Sequence, residues 1–141
     1  MTLLHDAYTA LLSGLTTKTG NEIHWQNKFG EDITVEPIDV SKEKYIVRRY
    51  YPNENKEYEV EYQNGKLHGK SIYWWQNGNK HWEQEYQNGQ RHGKYIGWDE
   101  NGNKKLESGW QNGQFHGKHI GWDENGNKIW EFEYRNGKLI K

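Results

Sequence analysis

From Lys44 to the last residue the chain alternates apolar and polar positions with a period of two, broken at fixed intervals by Asn-Gly pairs. A period of two is the signature of a strand with one buried face. Even positions carry Tyr58, Val60, Tyr62, then Ile72, Trp74, Trp82, Tyr86. They continue with Ile96, Trp98, Leu106, Trp110, and then Ile120, Trp122, Trp130, Phe132, Tyr134. Odd positions of the shorter segments carry Glu59, Glu61, Glu83, Glu85, Glu107, Glu131 and Glu133. One face therefore reads as an aromatic and aliphatic ladder, and the other as a partly acidic, solvated one. Asn-Gly pairs begin at 64, 77, 88, 101, 112, 125 and 136, at intervals of 13, 11, 13, 11, 13 and 11. Asn-Gly between β-rich segments signals a hairpin, because Gly accepts positive φ at little cost. Strands joined only by tight turns are antiparallel neighbours. The pattern predicts a meander of about eight strands with two strands per repeat. Asp99-Glu100-Asn101-Gly102 and Asp123-Glu124-Asn125-Gly126 suit a type I turn followed by a left-handed Gly. If every turn is of this kind, paired residues share parity and the even positions form one face.

The alternation belongs to a longer repeat. Tyr62 to Glu85, Tyr86 to Gly109 and Trp110 to Glu133 are copies of one 24-residue unit, and YRNGKLIK opens another. A period in this range marks a repeat architecture. Lys44 to Glu61 is a worn copy of the second half of the unit, in which Glu54 replaces the turn Gly found at Gly78. Gly69, Gly93 and Gly117 sit inside the longer strands. Interior Gly marks a bulge or a close approach, and room for an aromatic ring of the next copy is the expected reason. Residues 1–43 do not follow the repeat and read as a terminal cap of the array at 44–141. Within the cap, residues 2–15 predict a short helix with Leu4, Tyr8, Leu11, Leu12 and Leu15 on one face, Thr2 at its start and Gly14 near its end. The fold class is therefore mainly β: a curved single-layer antiparallel sheet of hairpin repeats, with a short N-terminal helix.

Composition narrows the classes. Eight Trp and ten Tyr with a formal charge of −1 describe a folded chain, since disorder goes with few aromatics and high net charge. The same near-neutral charge argues against a nucleic-acid partner. With no cysteine, disulfides and thiolate metal sites are ruled out. No export signal or membrane-spanning run is read from the sequence, so a cytoplasmic protein is expected.

The block Tyr-x-Asn-Gly, His-Gly-Lys, Trp/Tyr-x-x-Asn-Gly resembles the MORN repeat over about residues 50–141. It is most similar to the bacterial and viral variant of that repeat found in predicted antitoxin components of toxin–antitoxin modules. The resemblance implies a single-layer sheet with one hairpin per repeat, no enzymatic activity, and a binding or scaffolding role. It carries over to Tyr62, Gly65, Gly69, to Tyr86, Gly89, Gly93, and to Trp110, Gly113, Gly117.

Candidate chemistry is sparse. His68, His92 and His116 recur in phase, but equivalent residues lie two strands apart, about 9.5 Å. Ligands of one zinc ion lie within roughly 2.1 Å of it, so no metal site and no cofactor is expected. The pairs Glu59/Glu61, Glu83/Glu85 and Glu131/Glu133 have the spacing of glycosidase carboxylates, yet they recur on a face that reads as solvent. No nucleophile–base set stands out, and an enzyme is not expected. Trp74, Trp82, Trp98, Trp110, Trp122 and Trp130, with Tyr62 and Tyr86, are expected to hold the copies together. Tyr73 and Trp75 become Gly97, Asp99 and then Gly121, Asp123 in later copies, and Tyr51 aligns with Trp75. These surplus aromatics are the expected partner surface. The sequence thus predicts a non-enzymatic protein-binding or scaffold module, of which an antitoxin- or immunity-like role is one form. It also predicts homo-oligomers through a sheet edge or array end. The rival readings are a glycan- or cell-wall-binding aromatic repeat and a self-assembling viral or structural protein.

Overall fold

The computed structural model describes residues 3–12 and 17–141. They form one helix and one sheet of twelve strands whose order in space is their order in sequence. The helix is α1 (Leu3–Leu12), and the strands that open the sheet are β1 (Thr17–Thr19), β2 (Glu22–Gln26) and β3 (Asp32–Asp39). A 3-10 turn (Val40–Lys42) leads to β4 (Lys44–Tyr50). Then come β5 (Lys56–Gln63), β6 (Lys66–Trp74), β7 (Lys80–Gln87), β8 (Gln90–Trp98) and β9 (Lys104–Gln111). The sheet ends with β10 (Gln114–Trp122), β11 (Lys128–Arg135) and β12 (Lys138–Leu139). The expected mainly β meander with a short N-terminal helix is therefore what the chain forms. Thr2, Gly14 and Leu15 lie outside the described residues, as do the side chains of Leu4, Leu11 and Leu12.

The core sits where α1 lies on the sheet. Ala7 is fully buried against Ile23, Ile33, Val35, Tyr45 and Val47, and Leu3, Tyr8, Tyr58 and Tyr62 pack around them. The cluster takes residues from both sides of position 43, and Val47 pairs with Val35 on one side and Val60 on the other. Cap and array thus share one sheet and one core. On the opposite face Arg48 bridges the same strands. Its guanidinium is 2.6 Å from Glu36, 2.6 Å from Glu59 and 3.5 Å from Glu22.

The two rims of the array use different turns. At Asn64-Gly65, Asn88-Gly89, Asn112-Gly113 and Asn136-Gly137 both residues have positive φ. In the first of these Gln63 pairs directly with Lys66. This is the two-residue type I′ turn, whose twist matches that of the strands. On the other rim only the Gly of each Asn-Gly pair is left-handed, at Gly78, Gly102 and Gly126. There Asp99 N–H donates to the Asn103 carbonyl at 2.9 Å and Gly102 N–H donates to the Asp99 carbonyl at 3.1 Å. That is the expected type I turn with a left-handed Gly. In the worn copy Glu54 holds the Gly place at φ 73°, a conformation that costs a non-glycine residue roughly 1–2 kcal/mol.

This alternation overturns the single-ladder expectation. The two-residue turn pairs residues of opposite parity. On the other rim Trp74 does pair with Lys80, but a bulge at the next step makes Tyr73 the partner of Trp82. The register shifts again between Gly97 and Trp98 and between Gly121 and Trp122. The helix-bearing face therefore takes even positions from the short strands and odd positions from the long ones. Ile72, Trp74, Ile96, Trp98, Ile120 and Trp122 go to the opposite face.

Candidate functional site

On the helix-bearing face the aromatics stack from strand to strand. Ring centroids are 5.2 Å apart for Tyr45–Tyr62, 5.3 Å for Tyr58–Tyr73, 4.2 Å for Tyr73–Trp82 and 6.0 Å for Trp82–Tyr95. Tyr73 thus stands inside the ladder, not beside it. Between these rings the buried Val60, Ser71 and Gln84 pair in turn, and the half-buried Tyr95 links Gln84 to the buried Ser108. Gln84 is 1% exposed, and its amide oxygen has no hydrogen-bond partner among the described residues. α1 covers only the N-terminal part of this face. At its edge, Leu3 of α1 joins Tyr58, Tyr62, Tyr73, Trp82 and Tyr86 in lining a cavity of about 330 Å³. Burial pushes the phenols of Tyr45 and Tyr58 up to about 12, so both remain protonated donors at neutral pH.

Further along, Trp110 packs on Phe115 at 4.3 Å, and Phe115 and Tyr134 flank His119 at 4.1 and 4.7 Å. His119 is 5% exposed and its Nε2 has no hydrogen-bond partner among the described residues. Desolvation holds its pKa below the ordinary value, against a smaller upward pull from the Gly109 backbone.

The glycines divide into two kinds. Gly69 (φ 99°), Gly93 (φ 78°) and Gly117 (φ 93°) sit at bulges. A Cβ at Gly69 would meet the Glu61 side chain, and one at Gly93 the Glu85 side chain. The expected room for a ring is not what these positions supply. That role falls to Gly121, where the Trp130 indole lies on the bare backbone. Trp130 itself is 37% exposed, and Phe132, its stacking neighbour at 5.6 Å, is 42% exposed.

The opposite face carries a recurring set that the acidic reading missed. Lys56 lies over Trp74 at 5.4 Å, Lys80 over Trp98 at 5.6 Å and Lys104 over Trp122 at 5.4 Å. The same lysines pair with Glu59, Glu83 and Glu107 at 3.0, 2.8 and 3.1 Å. These carboxylates are half-buried and neutralised, between Ile72, Ile96 and Ile120. Glu59 and Glu107 are further exceptions to a solvated face, since hydrogen bonds from Arg48, Lys56, Lys94 and Lys104 outweigh burial and hold their pKa values down. The signal was legible as Lys-x-x-Glu recurring every 24 residues. His68 and His116 accept backbone N–H bonds from Asn88 and Asn136 at 3.3 Å. Among the described residues no group of three or more potential ligands could hold a metal ion.

Tyr51 and Trp75 lie on the type I rim, away from Tyr73. The Tyr51 hydroxyl donates to the Trp74 carbonyl at 2.7 Å, and the Trp75 indole to the Trp98 carbonyl at 3.3 Å. His81 stacks on Trp75 at 3.7 Å. With Asn53, Gln76, Asn77 and Glu100, the two rings line an open groove of about 550 Å³. The expected partner surface of three aromatics is thus two surfaces: Tyr73 on the helix-bearing face, Tyr51 and Trp75 on the rim.

No family model matches the chain, and no curated protein matches it. Among the described residues no helix is long and apolar enough to cross a membrane.

Proposed function

We propose that the protein is a non-enzymatic module that binds another protein, with the aromatic part of its helix-bearing face as the docking surface. One observation carries this reading. The face that α1 covers at β2 and β3 continues past it as a row of half-buried rings, from Tyr58 through Tyr73 and Trp82 to Tyr95, with no second layer among the described residues. α1 illustrates the kind of partner such a face accepts: an amphipathic helix set down on the strands with a small residue at the contact. Rings of this kind are the usual anchors of interfaces. An antitoxin- or immunity-like role is one form of this function, consistent with the MORN-like repeat. The outer edge of β11 from Lys128 to Phe132 is unpaired among the described residues, so self-association through that edge belongs to the same proposal.

Tyr95→Ser tests it with a residue the array already tolerates, since Ser71 occupies the equivalent place. Purified protein and its captured, then purified, partner are compared by calorimetry. Removing the last ring of this row is expected to weaken binding by about thirtyfold, the cost of a hot-spot residue, with the thermal midpoint little changed. Equal affinity of both forms, or no protein partner at all, would refute the docking surface. Sedimentation that stays monomeric at high concentration would remove the self-association arm.

A further inference from the structure

We propose that the rim groove at Tyr51 and Trp75 seats an arginine side chain of the partner polypeptide; this rests on the reading of the protein as a protein-binding module. The two rings are not needed to close their turns. In the later copies the equivalent Asp99 accepts from Asn101 and Asn103 N–H at 2.9 Å each, and Asp123 does the same with Asn125 and Asn127. In the Trp75 turn, Asn77 takes over by accepting from Asn79 N–H at 2.9 Å, and the backbone bonds of that turn stay intact. Asn53 does so in the Tyr51 turn at 3.1 Å. The rings are thereby released to lean across onto the next turn and wall a groove.

What remains in that groove is aromatic surface, the Gln76 carboxamide and the Glu100 carboxylate. The carboxamide donors of Asn53 and Asn55 are used on the Gln76 carbonyl, and those of Asn77 and Asn79 on the Glu100 carbonyl, at 2.8–3.0 Å. The lysines that follow these turns are drawn to the opposite face, Lys56 onto Trp74 and Glu59, Lys80 onto Trp98 and Glu83. Among the described residues no cation pairs with the Glu100 carboxylate or with Glu54 in the neighbouring turn. His81 backs the indole and is held toward its neutral form by desolvation, so it supplies no competing charge. An acidic, indole-walled groove matches a donor-only planar cation. A guanidinium stacks on an indole and offers paired N–H groups to a carboxylate.

The test titrates the 15N-labelled 141-residue chain with N-acetyl-arginine amide and, separately, with N-acetyl-citrulline amide, its neutral isostere. The Trp75 indole N–H and the Glu100 amide are expected to shift with arginine and not with citrulline. Glu100→Gln is expected to weaken the arginine effect by about three- to fivefold, the scale of one exposed ion pair. Equal shifts from citrulline, an unchanged Glu100→Gln titration, or stronger shifts of the same resonances by a glucose oligomer would overturn the arginine seat. The two readings separate in the partner assay. Loss of the partner on Tyr95→Ser with full retention by Glu100→Gln overturns this inference alone. Arginine binding at Trp75 with no protein partner overturns the module reading and leaves the groove's chemistry standing.

Discussion

At residue scale, identity alone did not separate positions that look alike. Gly69 and Gly121 are both interior glycines of the longer strands, but only Gly69 was expected to make space. Gly69 is there for its backbone, a positive φ beside the Glu61 carboxylate; Gly121 is there for its missing side chain, under Trp130. No sequence rule distinguishes the two without the register. His119 makes the same point about polarity. It stands where the preceding copies carry Ser71 and Tyr95, and it is buried between Phe115 and Tyr134. Its folded pKa lies below the ordinary 6.5, so below that pH the unfolded chain binds the proton first. Stability is then fully present above pH 6.5 and is lost as pH falls through that value toward the folded pKa. His81 shifts the same way. Urea unfolding at pH 7.5 and 5.5 is expected to show a drop in wild type and a smaller drop in His119→Tyr, with His81 supplying the remainder. Equal drops in the two proteins would remove His119 from that account.

At element scale, the strands and turns were legible in the chain, because Asn-Gly spacing and period-two alternation are local signals. The pairing of faces was not. It depends on whether a turn has two residues or three, and on the bulge beside Trp74, Trp98 and Trp122, which no one residue type marks in every copy. The Asp-Glu-Asn-Gly turns were read correctly, as the Asp99 and Asn103 bonds show. That turn type does not extend to Asn64-Gly65. There the Asn as well as the Gly is left-handed, and parity inverts. The consequence reaches the candidate site. Trp74 and Trp98 leave the aromatic ladder for the lysine-covered face, and Tyr73, thought peripheral, joins it. Tyr51 and Trp75 were legible as candidates in the sequence because they break the pattern of their own repeat. Glu100 was not, since its significance comes only from the turn stacked beside it.

At the scale of the whole molecule, cap and array are continuous, tied by the core around Val35 and Val47 and by Arg48 across the other face. The surfaces that could meet a partner differ along this body: aromatic in the middle of one face, acidic on one rim, and apolar at the end, where Ile129 and Leu139 are 59% and 57% exposed. Because strand order in space equals strand order in the chain, no strand is pinned between two that are distant in sequence. A load applied at the chain ends therefore opens hairpins one after another, as a zipper opens, and does not shear many hydrogen bonds at once. Each full repeat freed adds 24 residues of slack, roughly 80 Å when extended. In an optical trap the molecule is expected to lengthen in a staircase of near-equal steps at low force, with the helix-covered strands yielding last. A single high-force rupture would contradict it. A protein built this way answers tension by paying out chain gradually, as a compliant tether does.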